Sequence, residues 1–182
     1  IMAVAQNTPT TYYYTDLDWD DWITEVANSP NPANVYSISY NSYEEYVATS
    51  TKDTFNTQAI KLGVMGTTIL AASGDDGVIG YTNTICGYNP MFPASSPYVT
   101  AVGGTAGPER SNPEIACTST TTNPIIGITT GGGFSKHYAA PAFQKPFIQS
   151  YFDRVNGTPQ NPFSGRRPYS RTGRGYPDVA LL

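Results

Sequence analysis

Charge is scarce in this sequence: 10 Lys and Arg with 14 Asp and Glu make 13% of 182 residues, roughly half the usual share. A surface so poor in ionisable groups changes little in charge as pH falls, so the composition points to a secreted or acid-compartment protein. The net charge of −4 leaves no basic stripe to displace counterions from phosphate, which excludes nucleic acid as a partner. Arg166, Arg167, Arg171 and Arg174 do cluster, but Pro168, Gly173 and Gly175 interrupt them, and the segment reads as a solvated loop. No apolar run approaches the roughly 18 residues that cross a bilayer, which excludes a membrane partner. Two cysteines and one distant histidine, His137, make no zinc spacing, so no metal or other cofactor is expected within the chain. A P-loop, a G-x-S-x-G elbow and a dinucleotide fingerprint are all absent.

The two cysteines, Cys86 and Cys117, stand in polar Gly/Pro/Thr-rich stretches. Unpaired thiols prefer burial, so the expectation is a disulfide and an oxidising compartment. Its ~30-residue loop would stabilise by about 3–4 kcal/mol in the chain-entropy model. Asn156-Gly157-Thr158 is a glycosylation sequon, weakened by Pro159. Ile1-Met2-Ala3-Val4-Ala5 has no basic flank and no signal-peptide form, and Val179–Leu182 carries no polar tail. Residues 1–182 therefore read as a single partial domain, cut at both ends.

Periodicity supplies the architecture. Thr10–Thr15 (TTYYYT) reads as a strand. Asp16, Asp18, Asp20 and Asp21 then open a helix from Trp19 to Ala27, with Trp19, Trp22, Ile23 and Val26 on one apolar face. Val35–Tyr40 is a strand, and Ser42-Tyr43-Glu44-Glu45 has the spacing of a capping box that starts a short helix. A longer helix follows from Thr54 to Met65, with Phe55, Ala59, Leu62 and Val64 turned inward. Thr67–Ala72 and Tyr98–Val102 are apolar runs bounded by small residues, the pattern of strands buried in a parallel sheet. Pro141–Phe152 contains a further helix, and Pro159–Pro177 is extended. The alternation predicts an α/β fold with parallel strands and helices on both faces.

One carboxylate stands out. Asp75 follows the Thr67–Ala72 strand directly, in Ser73-Gly74-Asp75-Asp76-Gly77, where open α/β sheets place their ligands. Flanking glycines allow another backbone to approach. Read alone, the same residue serves equally well as a turn aspartate capping its own loop. His137 beside a glycine turn reads as a surface or structural histidine, and Asp21 with Glu25 as helix-end solubility.

ASGDDG at 72–77, FPASSPYVTAVGGT at 92–105, GGGFS at 131–135 and GYPDVA at 175–180 occur in that order. Collinear over nearly the whole chain, they resemble the sedolisin (serine-carboxyl peptidase) family, in particular its tripeptidyl-peptidase I-like branch. The resemblance implies a subtilisin-like three-layer αβα fold around a mainly parallel sheet, here incomplete. It further implies a serine-type peptidase acting at acid pH through a Ser-Glu-Asp triad and an oxyanion-hole aspartate.

Matched residue by residue, Asp75 takes the oxyanion-hole role, with Ser73 and Gly74 beside it. Ser39 and Tyr40 line the substrate cleft, though Asn41 replaces a glycine usual in the family. The Gly131–Gly133 turn is matched as structural. The chain contains no Gly-Thr-Ser nucleophile motif. The family places that motif and its calcium site beyond Tyr176–Val179, and the Glu-x-x-x-Asp pair before Ile1. The implied substrates are peptides or unfolded proteins, in a lysosome-like or secreted setting, and the segment alone is expected to be inactive. The competing reading is a catalytically dead, peptide-binding relative. A Ser-His-Asp subtilisin is disfavoured, because such enzymes carry asparagine where this chain has Asp75.

Overall fold

The structure is a computed structural model that describes residues 5–79, 87–108, 111–119, 127–155 and 169–181. Its centre is a sheet in the order β1 (Val35–Ile38), β3 (Thr68–Ala72), β5 (Thr100–Ala106), with β9 (Val179–Leu181) on the far side of β5. All three of these pairings are parallel. β6 (Ile115–Ala116) adds an antiparallel end to β5. The architecture is thus α/β with a mainly parallel sheet, as the alternation required. Among the described residues, however, the helices flanking it lie on one face rather than both, because β1, β3 and β5 follow one another in the same direction across the sheet.

Two helices pack on one face of that sheet. α1 (Trp19–Asn28) starts at Asp18, whose carboxylate accepts from the Trp19 amide at 2.7 Å, with Asp20 and Asp21 in the first turn. α2 (Thr49–Val64) turns Phe55, Ala59 and Leu62 inward. Together with Trp22, Ile23, Val26, Ile69, Ala71 and Phe92 they form the main core. Phe55 and Phe92 meet edge to face at 5.0 Å between centroids, while Trp22 stacks on Phe55. On the opposite side of the sheet Val35 is exposed and Leu70, Ala72 and Val102 are half-buried, so the described residues cover that face less completely.

The remaining elements form smaller units. β2 (Ser42–Tyr43) pairs antiparallel with β4 (Met91–Phe92). A 3₁₀ turn, Glu44–Tyr46, leads from β2 to α2. β7 (Gly133–Ala139) pairs antiparallel with β8 (Gly173–Tyr176). α3 (Lys145–Arg154) packs Phe152 against Phe134 of β7, with ring centroids 5.2 Å apart.

Several local expectations need correction. Thr10–Thr15 forms no strand: Tyr12 and Tyr14 are 86% and 79% exposed, so aromatic propensity finds no partner strand among the described residues. The capping-box segment does start a short helix, the 3₁₀ helix Glu44–Tyr46, but without a side-chain cap: Ser42 and Tyr43 are a strand, and the Glu44 amide donates across to Pro90 O at 2.8 Å, continuing the β2–β4 pairing. α2 begins at Thr49, five positions before the expected start, and Val64 is 85% exposed. Arg174 is buried rather than solvated. Cys117 is buried too, not in a surface loop. Cys86 and Asn156 lie outside the described residues, and with them the Cys86–Cys117 bridge and the sequon.

Candidate active site

Parallel pairing of β1 and β3 brings their carboxyl ends together. Ser37 stands opposite Leu70 and Ile38 opposite Ala71. The chain beyond β1, Ser39-Tyr40-Asn41, therefore runs beside Ser73 and Gly74 beyond β3. A Cβ placed on Gly74 would lie 3.7 Å from Asn41 Nδ2, which locates the contact. The five residues predicted for catalysis and substrate binding thus gather at the carboxyl end of the sheet. Ser73 is buried; Ser39, Tyr40 and Asp75 are exposed, and Gly74 is half-buried. The Tyr40 ring rests 5.9 Å from that of Trp19 on α1.

Among the described residues, backbone bonds alone fix the Ser73–Asp75 turn. The Ser73 amide donates to Val102 O at 2.9 Å, anchoring the turn to β5. Gly74 adopts φ 105°, a conformation that glycine reaches without steric cost. Its carbonyl accepts from the Gly131 amide at 2.7 Å, the Asp75 carbonyl accepts from the Thr129 amide at 2.6 Å, and the Gly77 amide donates to Thr129 O at 2.9 Å. The segment 129–131 is thereby stitched along the turn. Among the described residues no hydrogen bond or ion pair engages the Asp75 carboxylate. A turn-capping aspartate would spend that carboxylate on nearby amides; this one faces solvent.

The glycine run 131–133 is constrained by what surrounds it. A Cβ on Gly131 would stand 2.1 Å from Ser73 O, and one on Gly132 would stand 3.2 Å from Tyr176 O. Beyond it opens a cavity of about 660 Å³, lined among others by Val78, Gly133, Phe134, Tyr169 and Tyr176. Tyr176 is buried, and its hydroxyl accepts from the Met91 amide at 2.8 Å. Burial, reinforced by the negative charge of Glu44, holds this phenol well above the ordinary tyrosine range; the Met91 amide and Arg174 pull the other way.

Two polar clusters escaped sequence reasoning. In the first, the Asp178 carboxylate accepts from Arg174 Nη2 at 2.5 Å and the Ala101 amide at 2.8 Å through Oδ2, and from Gln144 Nε2 at 3.0 Å through Oδ1. Arg174 further donates to Ser96 O and Val99 O, at 3.2 and 3.1 Å. The buried arginine thus ties β8 to the approach to β5, and Asp178 links that pair to Gln144 at the start of α3. In the second, Glu44 is buried and accepts from Ser135 and from the amides of Lys136 and His137. His137, which has no acidic neighbour in sequence, meets Asp53 of α2 at 3.2 Å. The local patterns that hold Glu44 and Arg174, a capping-box spacing and an arginine cluster, do not reveal these roles, since their partners lie in distant segments.

Among the described residues no group of three or more His, Cys, Asp or Glu side chains is placed to hold a metal ion. No described helix is long and apolar enough to cross a membrane.

No protein-family model matches the chain. Tripeptidyl-peptidase 1 of Macaca fascicularis is 34% identical over 164 residues, covering 88% of this chain and 26% of that protein. Physarolisin of Physarum polycephalum is 33% identical over 219 residues, covering 99% of this chain and 36% of that protein. Among solved structures, a Pseudomonas sedolisin (serine-carboxyl proteinase), complexed with two molecules of pseudo-iodotyrostatin, superposes with a TM-score of 0.57 and 25% identity. That match covers 90% of this chain and 40% of the sedolisin. The chain spans about a quarter to a third of the length of these two curated relatives.

Proposed function

Because this chain is a homologue of the sedolisin-type serine peptidases, we propose that it forms the oxyanion side of an acid-acting peptidase site. In this reading Asp75 is the oxyanion donor. Attack on a peptide carbonyl places negative charge on its oxygen, and an ionised carboxylate there would repel it. Asp75 therefore works in its protonated form, donating one hydrogen bond, a contribution on the order of 3–4 kcal/mol. A carboxyl in water is mostly protonated only below about pH 4, which couples the chemistry to acid conditions.

The observation that carries this reading is the exposed Asp75 carboxylate, unengaged among the described residues, on a turn held by backbone bonds. An extended substrate would lie along Ser39 and Tyr40, pairing with the main chain while Tyr40 shapes a side-chain pocket. The nucleophile and its Glu-Asp partners would come from outside this chain, so the segment alone would be inactive. The substrates would be peptides or unfolded proteins, met in a lysosome-like or secreted setting. A Cys86–Cys117 bridge and a glycan at Asn156 belong to the same proposal.

The test is peptide hydrolysis against pH by the full-length polypeptide, wild type beside Asp75→Asn. Wild-type activity should peak between about pH 3 and 5. Asparagine donates at every pH, so the variant should be weaker and less dependent on acid. Wild-type activity absent at every pH, in folded protein freed of any pro-segment, would favour the peptide-binding module instead.

A further inference from the structure

Glu44 sits at the start of the 3₁₀ turn after β2, only 2% exposed. One carboxylate oxygen accepts from Ser135 Oγ at 2.5 Å. The other accepts from the amides of Lys136 at 2.8 Å and His137 at 3.3 Å. Ser135 Oγ itself accepts from the amides of Tyr138 at 2.7 Å and His137 at 3.1 Å. The Glu44 main chain is fixed as well: buried Lys52 donates its Nζ to Glu44 O at 2.9 Å, and the Tyr138 hydroxyl donates to Lys52 O at 3.1 Å. One buried carboxylate therefore anchors the first half of β7 to the crossover between β1 and α2.

Gly131-Gly132-Gly133 precedes that anchor, with only Phe134 between. Glycines carry no side chain with which to lock their own path, so the run takes its position from the backbone packed against it and from what holds its two ends. At one end is the bond from the Gly131 amide to Gly74 O, 2.7 Å long, with the two backbones too close to admit a Cβ. At the other end Gly133 and Phe134 pair with Tyr176 and Gly175 of β8, and the Glu44 cluster fixes the same strand from Ser135 onward. The next residue after Gly74 is Asp75.

We propose that Glu44 is a positioning residue for the Asp75 turn: its carboxylate holds residues 135–137, and through the glycine run it sets where Asp75 meets the substrate oxygen. The inference rests on the oxyanion reading of Asp75. An oxyanion donor works only within about 2.7–3.1 Å of the developing charge, and a misplacement of ~1 Å costs about 10²-fold in rate. The fully bonded Glu44 would also stabilise the fold, so stability alone cannot distinguish the two roles. Coupling to Asp75 can.

The experiment is a double-mutant cycle on the full-length peptidase, with kcat and KM normalised to folded enzyme. It uses Glu44→Gln, Asp75→Ala and the pair. Glutamine keeps an acceptor for the two amides but presents its NH2 to Ser135 Oγ, which already accepts two bonds. With Asp75 in place, Glu44→Gln should lower kcat on the order of tenfold and leave KM within about twofold. In the Asp75→Ala background the same change should cost less than about twofold, because the group it positions is gone. Ser135→Ala, which removes one hydroxyl from the same cluster, should show the same dependence on Asp75 and serves if Glu44→Gln does not fold. Equal fold losses in both backgrounds would overturn the positioning role and leave Glu44 structural. An Asp75→Ala enzyme of near-normal kcat would overturn the oxyanion reading, and this inference with it.

Discussion

Gly131 and Ser73 approach so closely that a Cβ on the glycine would lie 2.1 Å from the serine's carbonyl oxygen. No side-chain rotation relieves this, because the obstructing atom is backbone. The GGGFS motif is thus a requirement for contact at its first glycine, where the segment must lie flat against the Asp75 turn.

Gly131→Ala should therefore push the two segments apart. The expected cost is about 1–3 kcal/mol of stability, together with a fall in kcat on the order of 10²-fold. Gly63→Ala is the control: it lies in α2 and its added Cβ meets nothing within 4 Å. That change should stabilise by about 0.4–1 kcal/mol with unaltered kcat. Denaturant titration and peptide turnover on the two variants check both halves. Equal behaviour would show that the close approach does not matter.

Arg174 and Asp178 form the other structural anchor. The arginine side chain is 2% exposed, and it contacts the carboxylate, Ser96 O, Val99 O and Gly175 O. Arg174→Met would leave those acceptors without their donor and the Asp178 charge without its partner. Breaking a buried pair on one side costs about 3–5 kcal/mol; Asp178 is partly exposed, so the lower end of that range is expected. Urea unfolding measures it, and a loss under about 1 kcal/mol would mean that water replaces the arginine.

The parallel sheet was legible because its strands are short apolar runs ended by small residues, and α1 because Trp22, Ile23 and Val26 repeat at helical spacing. The candidate site was legible for a related reason. Ser39-Tyr40 and Ser73-Gly74-Asp75 follow strands that pair in parallel, so topology alone places them side by side. What could not be read were contacts between distant segments. Glu44 pairs with Ser135 across 91 positions, and Arg174 reaches Val99 across 75. In sequence, Glu44 is only an interior position of the Ser42–Glu45 capping-box spacing, and Arg174 looks like one of a run of loop cations. The same limit misled on Thr10–Thr15, where strand propensity is strong but pairing decides.

Two buried tyrosines give the fold a sign-defined response to alkali. Tyr176 and Tyr138 are both held well above the ordinary tyrosine value near 10, chiefly by burial; Glu44 adds to both and Asp53 to Tyr138. Each phenol is an acid that the folded state keeps neutral. Below about pH 10 both states bind the proton equally and the contribution to stability is fully present. Above that value the unfolded chain loses the proton first, so it binds fewer protons than the native state and stability falls with rising pH. Unfolding free energy should thus be flat between about pH 8 and 10 with respect to these groups and decline beyond. Tyr176→Phe should make the decline shallower, at the expense of the bond from the Met91 amide, worth about 1 kcal/mol at neutral pH. Tyr138→Phe should do the same while losing the bond to Lys52 O. Urea midpoints measured from pH 7 to 11 on the three proteins decide the matter: an unchanged alkaline slope in both variants would show that neither phenol is held neutral by the fold.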